Sequence, residues 1–525
     1  RSFGGLPPPS SLTCQGVFSQ QAFQAGRPED CAGISLATHW GWAEASAVGG
    51  GVAPLDSGLW LGCFLRSCRD ARPRDAASLD LVLMLDTSGS MNCSVEFSRN
   101  ARIRIPQPPA VGVAGQYTRL QVAKEGVRAA LGCLREGDRL CVATFTDFGR
   151  VLQPLEAVGR IDVQWLLAAV DALLPIGGTT LAAGMATALQ AADVPAPAEL
   201  GGGRRHRRAL FLTDMEDAGA EDLEALVAKQ ARAGLYVSFV GIGIDFNSDI
   251  AEQATRHPGA NYFCVTGGDE LQKVMVDEFD RNFFPTAVDV EVSVQSDVFD
   301  AAAVYGSPIP ARREAVAAEW RPGLHRVYPL AFKAQARALL LCWRRCLRTR
   351  LPLSLTQRIL SCLAPPERTV LRLGTVFPCR ELADGSVEGG LILVQMAPCK
   401  DIGTVSHGTV RLALQYTTLE GAHVSVCQDH KIPLQASGAV LPPPSLVLRQ
   451  GLLLRRYVEV CRRYLSASCS PHTTPAALET AFEDVEAFLA ESDGELDICP
   501  GVRQDLEGFC RLAHSHCDEL RWIGR

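Results

Sequence analysis

One short segment of the chain concentrates hard oxygen ligands. Asp86, Ser88 and Ser90 lie in the string DTSGS, directly after the apolar run LDLVLML. One carboxylate and two hydroxyls on a tight turn suit Mg²⁺, which prefers oxygen ligands, demands octahedral geometry and usually keeps several waters. The spacing D-x-S-x-S is a weak signal by itself, so its meaning depends on the residues that the fold brings beside it.

Two further segments place oxygen ligands next to predicted elements. Thr179, in the string GGTT, precedes a helix, and Asp214 follows the buried strand ALFLT. Because ligands of doubly wound sheets bind at the carboxyl ends of the strands, we expect these residues to meet the DTSGS turn at one edge of a sheet. Since both aspartates lie at strand ends and not in the core, we expect that replacing Asp86 or Asp214 abolishes metal binding without unfolding the protein.

The elements that must position this cluster alternate between strands and helices. Buried strands are predicted at LDLVLML, RLCVATF, ALFLT, YVSFVGIG and ANYFCV. Helices are predicted at YTRLQVAKEGVRAALGCL, VQWLLAAVDALL, LAAGMATALQAA, EDLEALVAKQARAG, IAEQATR and DELQKVMVDEFDRNF. This alternation predicts an α/β fold with a Rossmann-like, doubly wound, mostly parallel sheet.

With DTSGS, GGTT and FLTD in this order, residues 80–283 resemble the von Willebrand factor A (VWA) family with its complete metal-ion-dependent adhesion site. The resemblance implies that Ser88 and Ser90 bind Mg²⁺, or else Mn²⁺ or Ca²⁺, through their hydroxyls. It also implies that Asp86 and Asp214 act mainly through water and that Thr179 joins when a ligand is bound. A partner carboxylate often completes the coordination in this family, so the predicted partner is a protein with an exposed Asp or Glu.

Several features near this cluster leave alternatives open. The ion could merely stabilise its loops, or the site could be vestigial. Residues 215–217 (Met-Glu-Asp) stand where the family usually has glycine after the aspartate, and their carboxylates could bind a second cation, repel an acidic ligand or be solvated. The segment 92–116 is unusually long and is expected on the metal face. Residues 201–208 (GGGRRHRR) are interpreted as a flexible, solvated basic loop before a strand, with contact to an acidic partner as the alternative.

A chain of 525 residues predicts several domains, since single cores usually stop growing near ~250–300 residues. The strings VDVEVSVQ, GGLILVQM, GTVRLALQYT and AHVSVC alternate apolar and polar residues, as in antiparallel strands. We predict an N-terminal extension (1–79) that contributes strands to the β domain, a VWA domain (80–283), a β-rich domain (284–441) with a helical insertion at about 320–365, and a C-terminal helical domain (442–525). The flanks resemble those of uncharacterised multidomain VWA proteins of bacteria and protists.

Charge and hydropathy exclude some classes of partner. A net charge of −7 and a pI of about 5.9 argue against nucleic acid, which favours an excess of Lys and Arg. No apolar run reaches the ~18–20 residues that a membrane helix needs. The chain opens at Arg1 and not at a methionine, which is compatible with a removed leader.

The cysteines favour an intracellular location over a secreted one. Nineteen is an odd number, and Cys141 and Cys264 lie inside predicted strands, where small buried thiols are expected. The sequon at Asn92 supports secretion instead. Cys510, His514 and Cys517 share a helix face, but structural zinc wants four ligands, so buried thiols beside a surface histidine are the preferred interpretation.

The sequence predicts no enzyme. It has no G-x-S-x-G, H-E-x-x-H or Walker A motif, and Ser88 and Ser90 have no general base nearby in the sequence. The favoured function is a Mg²⁺-dependent adhesion or scaffold module that binds protein and could act within a larger complex. One alternative is a ubiquitin-ligase substrate adaptor whose insertion at 320–365 resembles an F-box or SOCS-box segment, although an ordinary amphipathic helical insertion is the preferred interpretation of these residues. Another is a secreted adhesin.

Overall fold

The computed structural model describes residues 9, 12–19, 21–24, 33–43, 58–67, 78–96, 116–197, 205–214, 223–243, 257–265, 268–307, 311–315, 367–380, 382, 384, 386–398, 406–419, 421–434, 442–470 and 473–523. Several predicted features lie outside these residues. They are the helical insertion at 320–365, the helix IAEQATR, the triplet 215–217 and the greater part of the segment 92–116.

The strands, in chain order, are β1 (Ala22–Phe23), β2 (Ile34–Ala43), β3 (Gly58–Ser67), β4 (Ser78–Asp86), β5 (Ser94–Glu96), β6 (Gln116–Thr118), β7 (Arg139–Phe145), β8 (Gly149–Ala157), β9 (Arg205–Thr213), β10 (Leu235–Ile242), β11 (Asn261–Val265), β12 (Ala287–Ser296), β13 (Phe299–Tyr305), β14 (Arg312–Ala315), β15 (Glu367–Val376), β16 (Val387–Glu388), β17 (Leu391–Pro398), β18 (His407–Thr418) and β19 (His423–Pro433).

The α-helices are α1 (Cys14–Ser19), α2 (Arg119–Cys133), α3 (Val163–Asp171), α4 (Leu181–Ala192), α5 (Leu223–Arg232), α6 (Gly268–Gln272), α7 (Phe279–Phe283), α8 (Leu446–Cys469), α9 (Pro475–Glu491), α10 (Asp493–Leu496) and α11 (Pro500–Ile523). The chain divides into two compact units. An inserted unit comprises residues 69–288 and 374–378, and a flanking unit comprises 1–68, 289–373 and 379–525.

The inserted unit is built on a sheet of strand order β11-β10-β9-β4-β7-β8, in which every neighbouring pair except β7 and β8 is parallel. Side chains of β4 alternate between the two faces of this sheet. Leu81, Leu83 and Leu85 enter one apolar core, whereas Val82 and Met84 enter the other. Both faces of β4 are therefore buried, which explains its uninterrupted apolar run and confirms the predicted mostly parallel α/β sheet.

The edge strands of this sheet correct two sequence expectations. The antiparallel strand β8 was not predicted, because most of its residues are exposed or half-buried, it carries no apolar run, and it contains Pro154, which an edge strand tolerates. Cys264 on the other edge strand, β11, is exposed and not buried as expected. Cys141 on β7 is buried, as expected, since β7 has a strand on either side.

The basic stretch before ALFLT also differs from its interpretation as a solvated loop. Strand β9 already begins at Arg205, and Arg208 is completely buried. The Arg208 guanidinium donates to Ser238 Oγ at 2.6 Å and to the Gly259 carbonyl at 3.1 Å, and burial lowers its pKa to about 9. Arg205 pairs with the buried Asp80 at 2.6 Å. These acceptors stabilise the two guanidinium groups inside the protein. The sequence of charges alone does not show that such acceptors lie nearby.

The flanking unit is β-rich and ends in helices, as the sequence predicted. Its sheets have the strand orders β13-β17-β3-β2 and β14-β15-β12-β18-β19, and the pairs β2–β3, β3–β17 and β18–β19 are antiparallel. Strands β2 and β3 bring the N-terminal segment into the sheet that contains β17. The N-caps Ser445 and Thr474 start the helices α8 and α9.

The C-terminal helices pack through one aromatic side chain in particular. Tyr464 of α8 is fully buried, and its hydroxyl donates to the Ala513 carbonyl of α11 at 3.0 Å and lies 3.1 Å from His516 Nδ1. On α11, Cys517 is also buried, whereas His514 is exposed.

Among the residues that the structure describes, no helix is long and apolar enough to cross a membrane.

Helix α4 packs closely on the sheet because it has a glycine, Gly184, where it contacts two phenylalanine rings. A Cβ atom at Gly184 would lie 3.0 Å from Phe145 Cγ and 3.1 Å from Phe211 Cε1. Both rings are buried and pack edge to face. The start of α4, and with it the GGTT segment that precedes it, is held by this contact.

We expect Gly184→Leu to lower the free energy of unfolding by about 1–3 kcal/mol, because an overpacked core displaces its neighbours. The control is Gly132→Leu in α2, where a Cβ atom meets nothing within 4 Å. Urea unfolding of both full-length variants measures the difference. Equal effects of the two substitutions would contradict the proposed close packing of α4.

Candidate metal centre

The two aspartates predicted from the sequence meet at the carboxyl end of neighbouring strands. Asp86 ends β4, Asp214 follows β9, and the two strands pair in parallel up to Leu85 opposite Leu212. Both aspartates are completely buried. The expectation that they lie outside the buried interior is therefore wrong.

Two donors hold the Asp86 carboxylate in place. The backbone amide of Ser88 donates to Oδ1 at 2.9 Å, and the hydroxyl of Thr213 donates to Oδ2 at 2.6 Å. Burial raises the pKa of Asp86 to about 6, and the neighbouring charge of Asp214 adds to the rise, although these hydrogen bonds oppose it. A cation bound beside Asp86 would offset the cost of keeping this carboxylate ionised.

The serine hydroxyls stand at a separation that suits an octahedral ion. A 3-10 turn, Gly89–Asn92, follows Ser88 and brings Ser88 Oγ to 3.1 Å from Ser90 Oγ. Two oxygens in adjacent positions of an octahedron with metal–oxygen bonds of about 2.1 Å lie about 3.0 Å apart. The two hydroxyls thus fit neighbouring ligand positions of Mg²⁺ without rearrangement of the turn.

Backbone hydrogen bonds join the GGTT segment to the DTSGS turn. The Gly89 amide donates to the Gly177 carbonyl at 3.0 Å, and the Ile176 amide donates to the Thr87 carbonyl at 2.7 Å. Gly177 has a φ of +84°, a conformation that favours glycine. Half-buried Thr179 lies two residues further along this segment. The structure therefore brings together the three motifs that the sequence placed far apart.

A second set of contacts anchors the far side of this segment. The Gly178 amide donates to Asp147 Oδ2 at 3.2 Å, and the Thr180 amide donates to the Thr146 carbonyl at 3.0 Å. Asp147 belongs to the loop between β7 and β8. Thr179 is thus held between residues that are fixed on both sides.

Two functional neighbours were missed by the sequence analysis. Thr213 reaches Asp86, and the guanidinium of Arg119 binds Asp214, with Nη1 2.8 Å from Oδ2. Arg119 is 4% exposed and is the first residue of α2. A cation at a helix N-terminus opposes the helix dipole, so an arginine in this position is a signal that an acidic partner lies close by.

The donor set is made of oxygen atoms. In the part of the chain that the structure describes, no group of three or more His, Cys, Asp or Glu side chains could hold a metal ion. A metal ion bound here would need the hydroxyls of Ser88 and Ser90 as ligands beside the carboxylates of Asp86 and Asp214. Hydroxyl and carboxylate oxygens suit Mg²⁺, Mn²⁺ or Ca²⁺ and not a soft ion.

Comparison with known families supports the fold of this segment. The sequence model of the family described as von Willebrand factor type A domain matches residues 81–216, a span that contains all five predicted ligands. The resemblance to the VWA family is confirmed for this span. Completeness of the metal site stays a prediction. No curated protein matches the chain.

Several solved structures are similar to the chain. A von Willebrand factor type A protein from Catenulispora acidiphila has 14% identity and a TM-score of 0.46, with 90% of this chain and 89% of that chain covered. The ArnB paralog VWA2 from Sulfolobus acidocaldarius has 10% identity and a TM-score of 0.42, with 91% and 97% covered. The conserved hypothetical protein BatB from Bacteroides thetaiotaomicron has 16% identity and a TM-score of 0.29, with 38% and 97% covered.

We expect Thr213→Val to lower the free energy of unfolding in EDTA by about 1.5–3 kcal/mol, since it removes a hydrogen bond to a buried carboxylate. Thr213→Ser keeps the hydroxyl and serves as the control. Urea unfolding at neutral pH measures both variants. If valine and serine have the same effect, the bond from Thr213 to Asp86 does not stabilise the metal-free protein.

Proposed function

We propose that the VWA fold of this chain is a non-enzymatic, Mg²⁺-dependent module that binds a protein partner. The observation that carries the proposal is the 3.1 Å separation of the Ser88 and Ser90 hydroxyls beside the buried carboxylate of Asp86. No catalytic step is included, because the sequence has no nucleophile or metalloprotease motif.

Each residue has a defined part in this proposal. Ser88 and Ser90 bind the ion directly, whereas Asp86 and Asp214 act mainly through water. Thr179 joins the coordination when a ligand arrives. Direct neutral ligands leave the ion electrophilic, so that a carboxylate from an Asp or Glu of the partner completes its coordination.

Exposed apolar side chains on the neighbouring loops favour a protein as the ligand. Phe148 and Leu174 are each 71% exposed, and Ile176 is 68% exposed. They belong to the two loops that the hydrogen bond between Gly178 and Asp147 joins. Large apolar side chains beside a polar site are typical of protein interfaces, and an ion that merely stabilised its loops would not need them.

The ubiquitin-ligase adaptor and the secreted adhesin are more specific forms of the same activity. The F-box-like or SOCS-box-like insertion at 320–365 lies outside the described residues, so the adaptor hypothesis has no structural support beyond its sequence. The described cysteines are free thiols, which agrees with the intracellular preference. Location of the tagged protein in cells separates the two hypotheses.

We expect Ser88→Ala to weaken binding of Mg²⁺ or Mn²⁺ at least tenfold, because a direct ligand is lost while no buried charge is left unpaired. Isothermal titration calorimetry of the metal-free protein measures the Kd. Thr87→Val is the matched control, since the Thr87 hydroxyl donates to the Phe145 carbonyl. An unchanged Kd in Ser88→Ala would falsify the site.

Thr179→Ala should separate partner binding from ion binding. Loss of an oxygen ligand that is used only in the bound state should weaken the partner roughly ten- to a hundredfold and the ion less than about threefold. The partner is one that the wild-type protein retains in Mg²⁺ and releases in EDTA. Thr180→Ala is the control, because the Thr180 side chain makes no capping hydrogen bond to α4. Equal losses for ion and partner would indicate a permanent ligand and a structural site.

A further inference from the structure

We propose that Arg119 is a fixed internal cation of the metal centre, which weakens binding of the metal ion and strengthens binding of an anionic ligand to the metal-loaded site. This inference rests on the proposed function and adds the residue that sets the balance of charge. Its basis is the buried ion pair between Arg119 Nη1 and Asp214 Oδ2, which are 2.8 Å apart.

Capping and backbone hydrogen bonds fix the start of α2, where Arg119 lies. Thr118 caps the start of α2, and its side chain and that of Gln121 form a reciprocal capping box. The Arg119 amide donates to the Cys93 carbonyl at 3.0 Å, next to the turn that carries Ser90. The backbone of Arg119 is therefore tied to the turn that carries the serine hydroxyls.

Space for this side chain is provided by a glycine at the end of β10. A Cβ atom at Gly243 would lie 2.9 Å from Arg119 Nε, and Gly243 has a φ of +109°. Glycine is favoured there both by the backbone conformation and by the arginine. The fit argues that the guanidinium is a built part of the centre and not a surface side chain that happens to reach Asp214.

The position of Arg119 at a helix N-terminus is electrostatically unfavourable. The N-terminus of α2 carries a partial positive charge that repels a guanidinium. The charge is also almost completely removed from water, with 4% of the arginine and none of the aspartate exposed. An apolar pair would avoid both costs, so the ion pair suggests a requirement for charge at this point.

The charges at the centre show what this requirement is. The guanidinium of Arg119 adds a charge of +1 next to the buried carboxylates. Whatever other charges surround the centre, this added charge repels an incoming dication and attracts an anionic ligand. The same arginine therefore lowers the affinity for the metal ion and raises the affinity of the metal-loaded site for a carboxylate.

The magnitude is large enough to measure. Even at the dielectric of bulk water, a unit charge about 6 Å from a dication contributes about 1.4 kcal/mol, which is a tenfold change in affinity. We therefore expect Arg119→Gln, which can still donate to Asp214, to lower the Kd for Mn²⁺ at least tenfold. Arg119→Lys keeps the charge and should stay within about threefold of the wild type.

Anion binding should change in the opposite direction. Acetate is the probe, and its binding to Mn²⁺-saturated protein is measured through the paramagnetic relaxation of its methyl protons. We expect acetate affinity to fall at least threefold in Arg119→Gln, since acetate carries half the charge of the dication, and to be preserved in Arg119→Lys. Opposite shifts for the metal and the anion are the signature of a charge, which loss of structure alone would not produce.

The metal-induced rise in Tm gives an independent measurement if Arg119→Gln or Arg119→Met is destabilised without metal. A larger rise than in the wild type, or refolding by Mn²⁺, supports the proposal. Weaker or unchanged Mn²⁺ binding in both Arg119→Gln and Arg119→Met overturns it. Ser88→Ala separates this failure from failure of the metal site itself, since equal Mn²⁺ affinity in Ser88→Ala and the wild type would mean that the ion binds elsewhere.

Discussion

Two buried carboxylates at the end of one sheet are the constraint on which the inserted unit depends. Parallel pairing of β4 with β9 brings Asp86 and Asp214 to the same edge, away from water. Burial raises the pKa of Asp86 to about 6 because it disfavours the ionised carboxylate, and the charge of Asp214 adds to the rise. The surrounding donors and cations are arranged to offset it.

The two carboxylates are stabilised in different ways. Asp86 receives hydrogen bonds from an amide and a hydroxyl. Asp214 has an ionic partner in Arg119. The hydroxyls of Ser88 and Ser90 stand on the turn that follows Asp86. This difference is the reason why a metal ion is proposed beside the serine turn, and why Arg119 is proposed to alter the charge around that ion.

The same packing rules support the parts that carry no proposed ligand. In the inserted unit, Gly184 allows α4 to pack directly on two phenylalanine rings, and this fixes the start of the helix behind Thr179. In the flanking unit, Tyr464 joins α8 to α11 through its ring and its hydroxyl. Both are close contacts whose partners come from distant parts of the chain.

The sequence by itself determined the class of fold and the set of candidate ligands. Apolar runs with helices between them predict a parallel sheet, and DTSGS, GGTT and Asp214 follow from residue type and order. The tertiary structure decided which hydroxyl oxygens lie side by side, that both aspartates are buried, and that Arg119 and Thr213 reach them. It also decided that β8 is an edge strand and that Arg208 is buried. Local patterns report the periodicity of an element, whereas burial and ion pairing depend on side chains brought together from remote positions, which no local pattern specifies.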